Sequence, residues 1–470
     1  MLKWTCLILV VLLALVSLAE YVWDVPPMGV LSAARQRLAR SDDGGPQTVI
    51  RMGVAAWQMD EFPWEAIVRQ YEAAHGGKVR VKISVLPEGS LNSQLLMWAL
   101  QGKTRYDVIV AWSDEEIHPF INYNWNTTDP ARRGLLVNVS DHLTDDQIAN
   151  FPPALFVGSS RKDPQTGHVN RYELPWMGEV LALNYNKRFF QQAGIERPPT
   201  TWEEVEQVSR RLMNIEHNGV KVAPLAMNYA QGGFFAQNCY VPMLAAYKKG
   251  RGIADAAGRL DVSSPEAVEV FRTLARWKKE GIISPSCMIN DSVEQDLRVL
   301  RAAMYPHWQS RGLWAVKDHG PEMIGIAPTP GAAEAGSLVC TYGAVVPKCS
   351  PIVKQAIEFS YETFCTDTYG FQTAVAKGTP DPEKPGQFKG GGKMPAARAM
   401  YARSDLPPGI AELGKSLQKG YFYPDPVNWP QVAEILVVEF HKLLSGTTPT
   451  PEEAMGNVRR RVRDEVYREK

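Results

Sequence analysis

The sequence predicts an α/β protein built on a parallel sheet. Three segments carry this prediction: TVIRMGVAAW (48–57), KVRVKISVL (78–86) and YDVIVAW (106–112). The second alternates Val79, Val81, Ile83 and Val85, the period of a half-buried strand. The third is a short continuous apolar run, as a strand covered on both faces requires. Helical patterns separate them, and a strand–helix–strand order gives parallel pairing with right-handed crossovers.

The first helix is predicted from Trp64 to His75, with Gly76 at its C-terminal end. LNSQLLMWALQG (91–102) is a second helix, closed by Gly102. A second unit begins near residue 137. Its strand is VLALNYN (180–186), followed by a short helix. Thr201-Trp-Glu-Glu204 has the form of a capping box, in which the hydroxyl and the carboxylate each satisfy a free amide. Ser264-Pro265 starts another helix, with Pro at the first helical position and Ala267, Val270, Phe271 and Leu274 on its apolar face. Val293–Ala303 is predicted helical, before the strand AAMYPHW that ends in Trp308. MIGIAPTPG and LVCTYGAVVPK give two further strands, and Ile352–Phe364 a helix. Residues 378–393, including KGGGK, are loop by composition. The remainder is helical in patches, broken at YFYPDPVNWP.

Charge and cysteine content exclude several classes. Lys and Arg number 51 and Asp and Glu 51, so there is none of the basic excess of a nucleic-acid binder. The C-terminal VRRRVRDEVYREK alternates in sign and is expected to be a solvated helix. The run WTCLILVVLLALVSLA (4–19) is short for a bilayer span, which needs about 20 apolar residues. It suits a secretory signal with Ser17 and Ala19 before the cut, or an uncleaved anchor continuing through Tyr21, Val22 and Trp23. Residues 24–47 are expected to be a linker, and the rest of the chain to be extracytoplasmic and soluble. Cys239, Cys287, Cys340, Cys349 and Cys365 show no CxxC and no zinc spacing; one or two disulfides are open.

Six blocks then occur in a telling order. They are YDVIVAW with Ser113-Asp114; LPWMGEVLALNYNKRFFQQAGIERPPTTWEEV; LRVLRAAMYPHWQSRG; GAVVPKCSPIVKQAIEFSYETF; GKMPAARAMY; and VNWPQVAEILVVEFHKLLSGTTPTPEEAM. Together, over residues 48–465, they resemble the extracellular solute-binding proteins of ABC importers, the maltose-binding-like, sugar-binding group. The resemblance implies a two-lobe, periplasmic-binding-protein-like fold (type II), each lobe a mixed sheet flanked by helices. Lobe I would take residues 48–136 and 324–372, lobe II residues 137–323 and 373–470. A hinge would close the lobes on a ligand in the cleft. The implied partners are a sugar or oligosaccharide and a transmembrane permease with its ATPase, the chain itself being a monomer without cofactor or metal. One departure is that no lipid-attachment Cys follows the apolar run, since Cys6 precedes most of it.

Ligands of parallel sheets bind beyond the carboxyl ends of strands. Trp57 ends the first strand, Trp112 and Asp114 the third, and Trp308 ends AAMYPHW. Trp176 and Glu179 flank the strand of the second unit, and Trp429 lies in a Pro-rich loop. A sugar presents an apolar C–H face to flat aromatics and a hydroxyl rim to polar groups. Trp57, Trp112, Trp176, Trp308 and Trp429 are candidates for the first role; Gln58, Asp60, Asp114, Glu179 and Arg311 for the second; Tyr342 is a further candidate.

Each has a plainer reading. A Trp near a strand end is more often core. Asp114 in SDEE and Asp60 before Phe62 are also helix caps, and Glu179 can satisfy a nearby amide. Trp64, Trp98, Trp202 and Trp277 sit in helices and read as packing; His118 and His307 are lone and read as structural. The alternative function is a glycosidase-like enzyme using Asp114 and Glu179, whose two carboxyls would need to flank a sugar bond. No G-x-S-x-G or H-E-x-x-H supports other catalysis. A third reading is a sensory receptor that hands its ligand to a membrane partner.

Overall fold

The computed structural model describes residues 47–468 except 87–90, 114–116, 125–126, 128, 130–131, 164, 256–257, 382–387 and 425–427. The N-terminal apolar run and the linker up to residue 46 lie outside the described residues. From Val49 onward the chain forms one compact unit. Among the described residues no helix is long and apolar enough to cross a membrane.

The expected opening is present. Strands β1 (Thr48–Ala55), β2 (Val79–Leu86) and β3 (Val108–Ser113) lie in the order β2-β1-β3. β1 and β3 pair in parallel, Met52 opposite Val108. Val108, Ile109 and Val110 are all buried, which explains the unbroken apolar run. β2 is the edge strand, and of its alternating residues Val85 remains exposed. The helix Trp64–Ala74 ends before Gly76, which adopts the left-handed conformation with φ 59°.

The sheet continues through β8 (Ser337–Val345), β4 (Leu174–Asn186), β6 (Ala302–Trp308) and β5 (Ala223–Leu225). β7 (Ile324–Pro328) also pairs with β4. β4 is 13 residues long, so it starts earlier than VLALNYN. Its first half pairs antiparallel with β8 and its second half with β6. It therefore passes from one hydrophobic core to another. The first core gathers Ile50, Val54, Trp64, Val108, Trp176 and Phe364. The second gathers Leu183, Phe235, Phe271, Trp277, Leu436 and Phe440. Each large apolar side chain buried this way contributes roughly 1.5–3 kcal/mol.

The first core also takes in residues from segments expected in the second lobe. Val137, Phe151, Leu155 and Met177 pack in the first core, as do Val375, Met394, Met400 and Leu413. β7 pairs with the second half of β4 on the edge opposite β6. β8 pairs with the start of β4 and so joins it to the first sheet.

Three local expectations also change. Thr201 Oγ accepts from Glu204 N at 3.2 Å, but the Glu204 carboxylate turns to Thr200 N (2.7 Å) and Arg197, one residue short of a reciprocal box. The helix expected over Val293–Ala303 is Asn290–Gln295, and Ala302 already starts β6. Trp429 lies in no loop: it is the first residue of the helix Trp429–Leu444. Ser264 caps its helix as expected, with Ala267, Val270, Phe271 and Leu274 all fully buried. Cys239, Cys287, Cys349 and Cys365 are free thiols.

Candidate ligand site

The site is built where β4 and β8 pass between the cores. β1 runs directly into the short helix Ala56–Glu61, which puts Trp57 at the strand's carboxyl end. Trp57 is 39% exposed, and its ring meets Tyr342 of β8 edge to face, with centroids 5.7 Å apart. Tyr342 lies 6.3 Å from Trp176.

The register of β8 changes at this point. Tyr342 pairs with Met177 and Gly343 with Pro175, so Trp176 is an extra residue on β4. On the other edge, Tyr342 pairs with Ser113 and Ala344 with Val110, so β3 also carries an extra residue. Bulges of this kind re-aim side chains next to functional sites. Pro175 has no N–H to give the ladder, which favours a break there.

Trp176 and Glu179 thus lie within a strand, not at its mouth. Trp176 is fully buried, its ring centred 5.0 Å from Phe62, 5.5 Å from Trp64 and 5.6 Å from Phe371. Gln58 is also fully buried, and its carbonyl accepts from Trp64 Nε1 at 2.8 Å. Asp60 is exposed within the Ala56–Glu61 helix and caps nothing at Phe62. Trp429 is buried away in the second core, stacked on Tyr423 at 4.3 Å. Asp114 lies outside the described residues, and of Trp112 only the backbone is described.

Glu179 is 5% exposed, and both of its oxygens are engaged. Ser310 Oγ donates to Oε2 at 2.7 Å, and Lys393 forms an ion pair with Oε1. Lys393 ends the triple-glycine strap expected to be a flexible loop. Gly390, Gly391 and Gly392 all have positive φ (60°, 77° and 77°). A Cβ at Gly390 would come 2.2 Å from the Glu61 carbonyl oxygen, and one at Gly391 2.3 Å from Gly378 N. Only glycine allows this path, and the path is what buries Lys393. Glu61 shares the field of Lys393, Glu179, Lys317 and Arg311; burial raises its carboxyl above the usual range.

Trp308 is half-buried at the end of β6 and leads into the helix Gln309–His319. Gln309 is fully buried and joins the strap to the sheet: Val180 N donates to its Oε1 at 2.5 Å, and its Nε2 donates to the Gly392 carbonyl at 3.2 Å. Arg311 stacks on Trp314 (4.1 Å) and pairs with Glu294 at 3.1 Å. Glu294 also accepts from Tyr305 OH at 2.8 Å and lies 2.9 Å from His307 Nε2. Trp308 N donates to His307 Nδ1 at 2.8 Å. His307 is therefore structural in a specific sense: it ties the Trp308 backbone to Glu294. Burial opposes the charge on Glu294, yet His307 and Arg311 hold its carboxyl down to about 2. Burial also lowers His307, despite Glu294.

The structure brings Trp57, Tyr342, Glu179, Trp308 and Arg311 around the crossing strands, while Trp176 and Gln58 lie in the packing beneath. Sequence reasoning missed Glu61, Ser310, Lys393 and Glu294. Ser310 and Lys393 stood inside quoted blocks, and the signal for Lys393 was three glycines in a row before a lysine. Among the described residues no group of three His, Cys, Asp or Glu is arranged to hold a metal. A hollow of about 660 Å³ along Thr447–Arg463 shares no residue with this site.

A pair of cores joined by crossing strands, with aromatics and buried polar groups between, defines a binding-protein architecture. The chain belongs to the bacterial extracellular solute-binding proteins, whose family model matches residues 56–360. It is 24% identical over 251 residues to a binding protein of Brucella abortus, covering 53% of this chain and 54% of that protein. The chain thus spans about half the length of the curated relatives it matches. Its fold is similar to that of an ABC transporter solute-binding protein of Thermotoga lettingae bound with alpha-D-tagatose (TM-score 0.64, 18% identity, 88% of this chain and 98% of that one). It is also similar to the cyclic alpha-maltosyl-1,6-maltose binding protein of Arthrobacter globiformis (TM-score 0.65, 16% identity, 88% and 98%).

Proposed function

We propose that this protein captures a sugar or oligosaccharide between its two cores and delivers it to an ABC importer permease outside the cytoplasm. The observation that carries the reading is the exposed Trp57 ring against the half-buried Tyr342, set beside buried polar groups. Aromatic faces take the C–H side of a sugar, while Glu61 and Arg311 supply hydrogen bonds to hydroxyls. β4 and β8, running between the cores, are the connections about which closure would occur.

The enzyme alternative draws no support from the family match. Its one described member, Glu179, is already bonded to Ser310 and Lys393.

Titrating the soluble part with a panel of mono- and oligosaccharides tests the reading through tryptophan emission, with product analysis alongside. Saturable emission changes without product are expected. Product formation, or no response to any saccharide in the panel, would overturn it.

A further inference from the structure

Glu173 immediately precedes β4 and is fully buried, and among the described residues no donor meets its carboxyl oxygens in hydrogen-bonding geometry. Burying such a group without partners is costly, far more so when it is charged. Its surroundings explain how it fits. A Cβ at Gly343 would lie 2.6 Å from Glu173 Oε2, so the carboxyl occupies the space that Gly343 leaves empty. Gly343 is the next residue after Tyr342, at the step where β8 changes register against β4. The polar neighbour is the buried Ser159 hydroxyl, and the titratable neighbour is the Cys365 thiol at the end of the helix Val353–Phe364. Neither supplies a positive charge.

We propose that Glu173 is a positioning residue: its neutral carboxyl fills the space beside Gly343, holds the bulge, and so presents Tyr342 to Trp57, whereas its ionisation releases Tyr342 and weakens ligand capture. Burial pushes the Glu173 carboxyl up to about 8, with the Ser159 hydroxyl opposing, so the change falls at mildly alkaline pH. The folded state keeps a proton that the unfolded chain gives up near its ordinary value of 4.5. Stability is therefore full below that value and declines as pH rises toward 8, where the folded carboxyl itself ionises.

The ligand-free measurement does not depend on the proposed function. The chain has 13 tryptophans, so the Trp57 signal is taken as the difference between the protein and its Trp57→Phe variant. Followed from pH 6.5 to 9, below ordinary tyrosine ionisation at about 10, that signal should change with a midpoint near 8. Glu173→Gln, which keeps the shape and cannot ionise, should retain the low-pH signal throughout. A flat wild-type profile, or an unchanged midpoint in Glu173→Gln, would overturn the proposal. Should Glu173→Gln not fold, infrared titration of the wild type decides: a protonated-carboxyl band present at neutral pH and lost near 8 supports the proposal, and its absence at neutral pH overturns it. With a saccharide found by the panel above, affinity should fall about tenfold per pH unit above the midpoint and stay level in Glu173→Gln. A fluorescence midpoint without any saccharide binding would fault the proposed ligand and leave the role of Glu173 standing.

Discussion

Trp57 and Tyr342 meet edge to face, 5.7 Å between ring centres, although 285 positions separate them in the chain (342 − 57). One stands at the end of the first strand and the other at the bulge of a crossing strand. Their contact joins the two segments that the proposed ligand would touch.

Trp57→Ala and Trp308→Ala should weaken saccharide binding at nearly unchanged stability. Trp176→Ala should instead cost about 3–5 kcal/mol of folding free energy, because it empties a filled aromatic cluster. Calorimetric binding and urea unfolding on the three variants check this. A stable Trp176→Ala that fails to bind would reverse the assignment.

Lys393→Met should destabilise the fold by about 3–5 kcal/mol, since it leaves the Glu179 carboxylate buried without its ion-pair partner. Adding Glu179→Gln should recover much of that loss. Equal unfolding midpoints for the single and double variants would show that the pair is not coupled.

Gly391→Ala should cost on the order of 1–3 kcal/mol, because its φ of 77° disfavours a side chain and the new Cβ would press on Gly378 N. The Lys393–Glu179 pair moves with the strap, so saccharide affinity should fall too. An unaffected unfolding midpoint would mean that the strap is free to shift.

Acid should loosen the second half of the site. The Glu294 carboxyl is held down to about 2, so its contribution is full above 4.5 and is lost as pH falls from there toward 2. His307 is lowered by burial, so the unfolded chain takes up its proton first and stability also falls below about 6.5. Glu294→Gln should flatten the steeper, lower part of the stability–pH curve, measured by urea midpoints at each pH.

Local pattern was enough for the elements. Alternation gave β2, the buried run gave β3, and Ser264-Pro265 with its apolar stripe gave the longest helix of the middle segment, because these depend on residues within a few positions of one another. It was enough, too, to place Trp57 just past the end of β1, Trp308 at the end of β6 and Tyr342 within β8. What pairing across hundreds of residues decides was out of reach: the early start of β4, the bulges beside Tyr342, and the burial of Trp176. The three glycines before Lys393 read as slack chain because nothing nearby says what they pass. The tertiary fold supplies Glu61 and Gly378 as walls on either side, and a backbone without side chains is the one shape that fits between them.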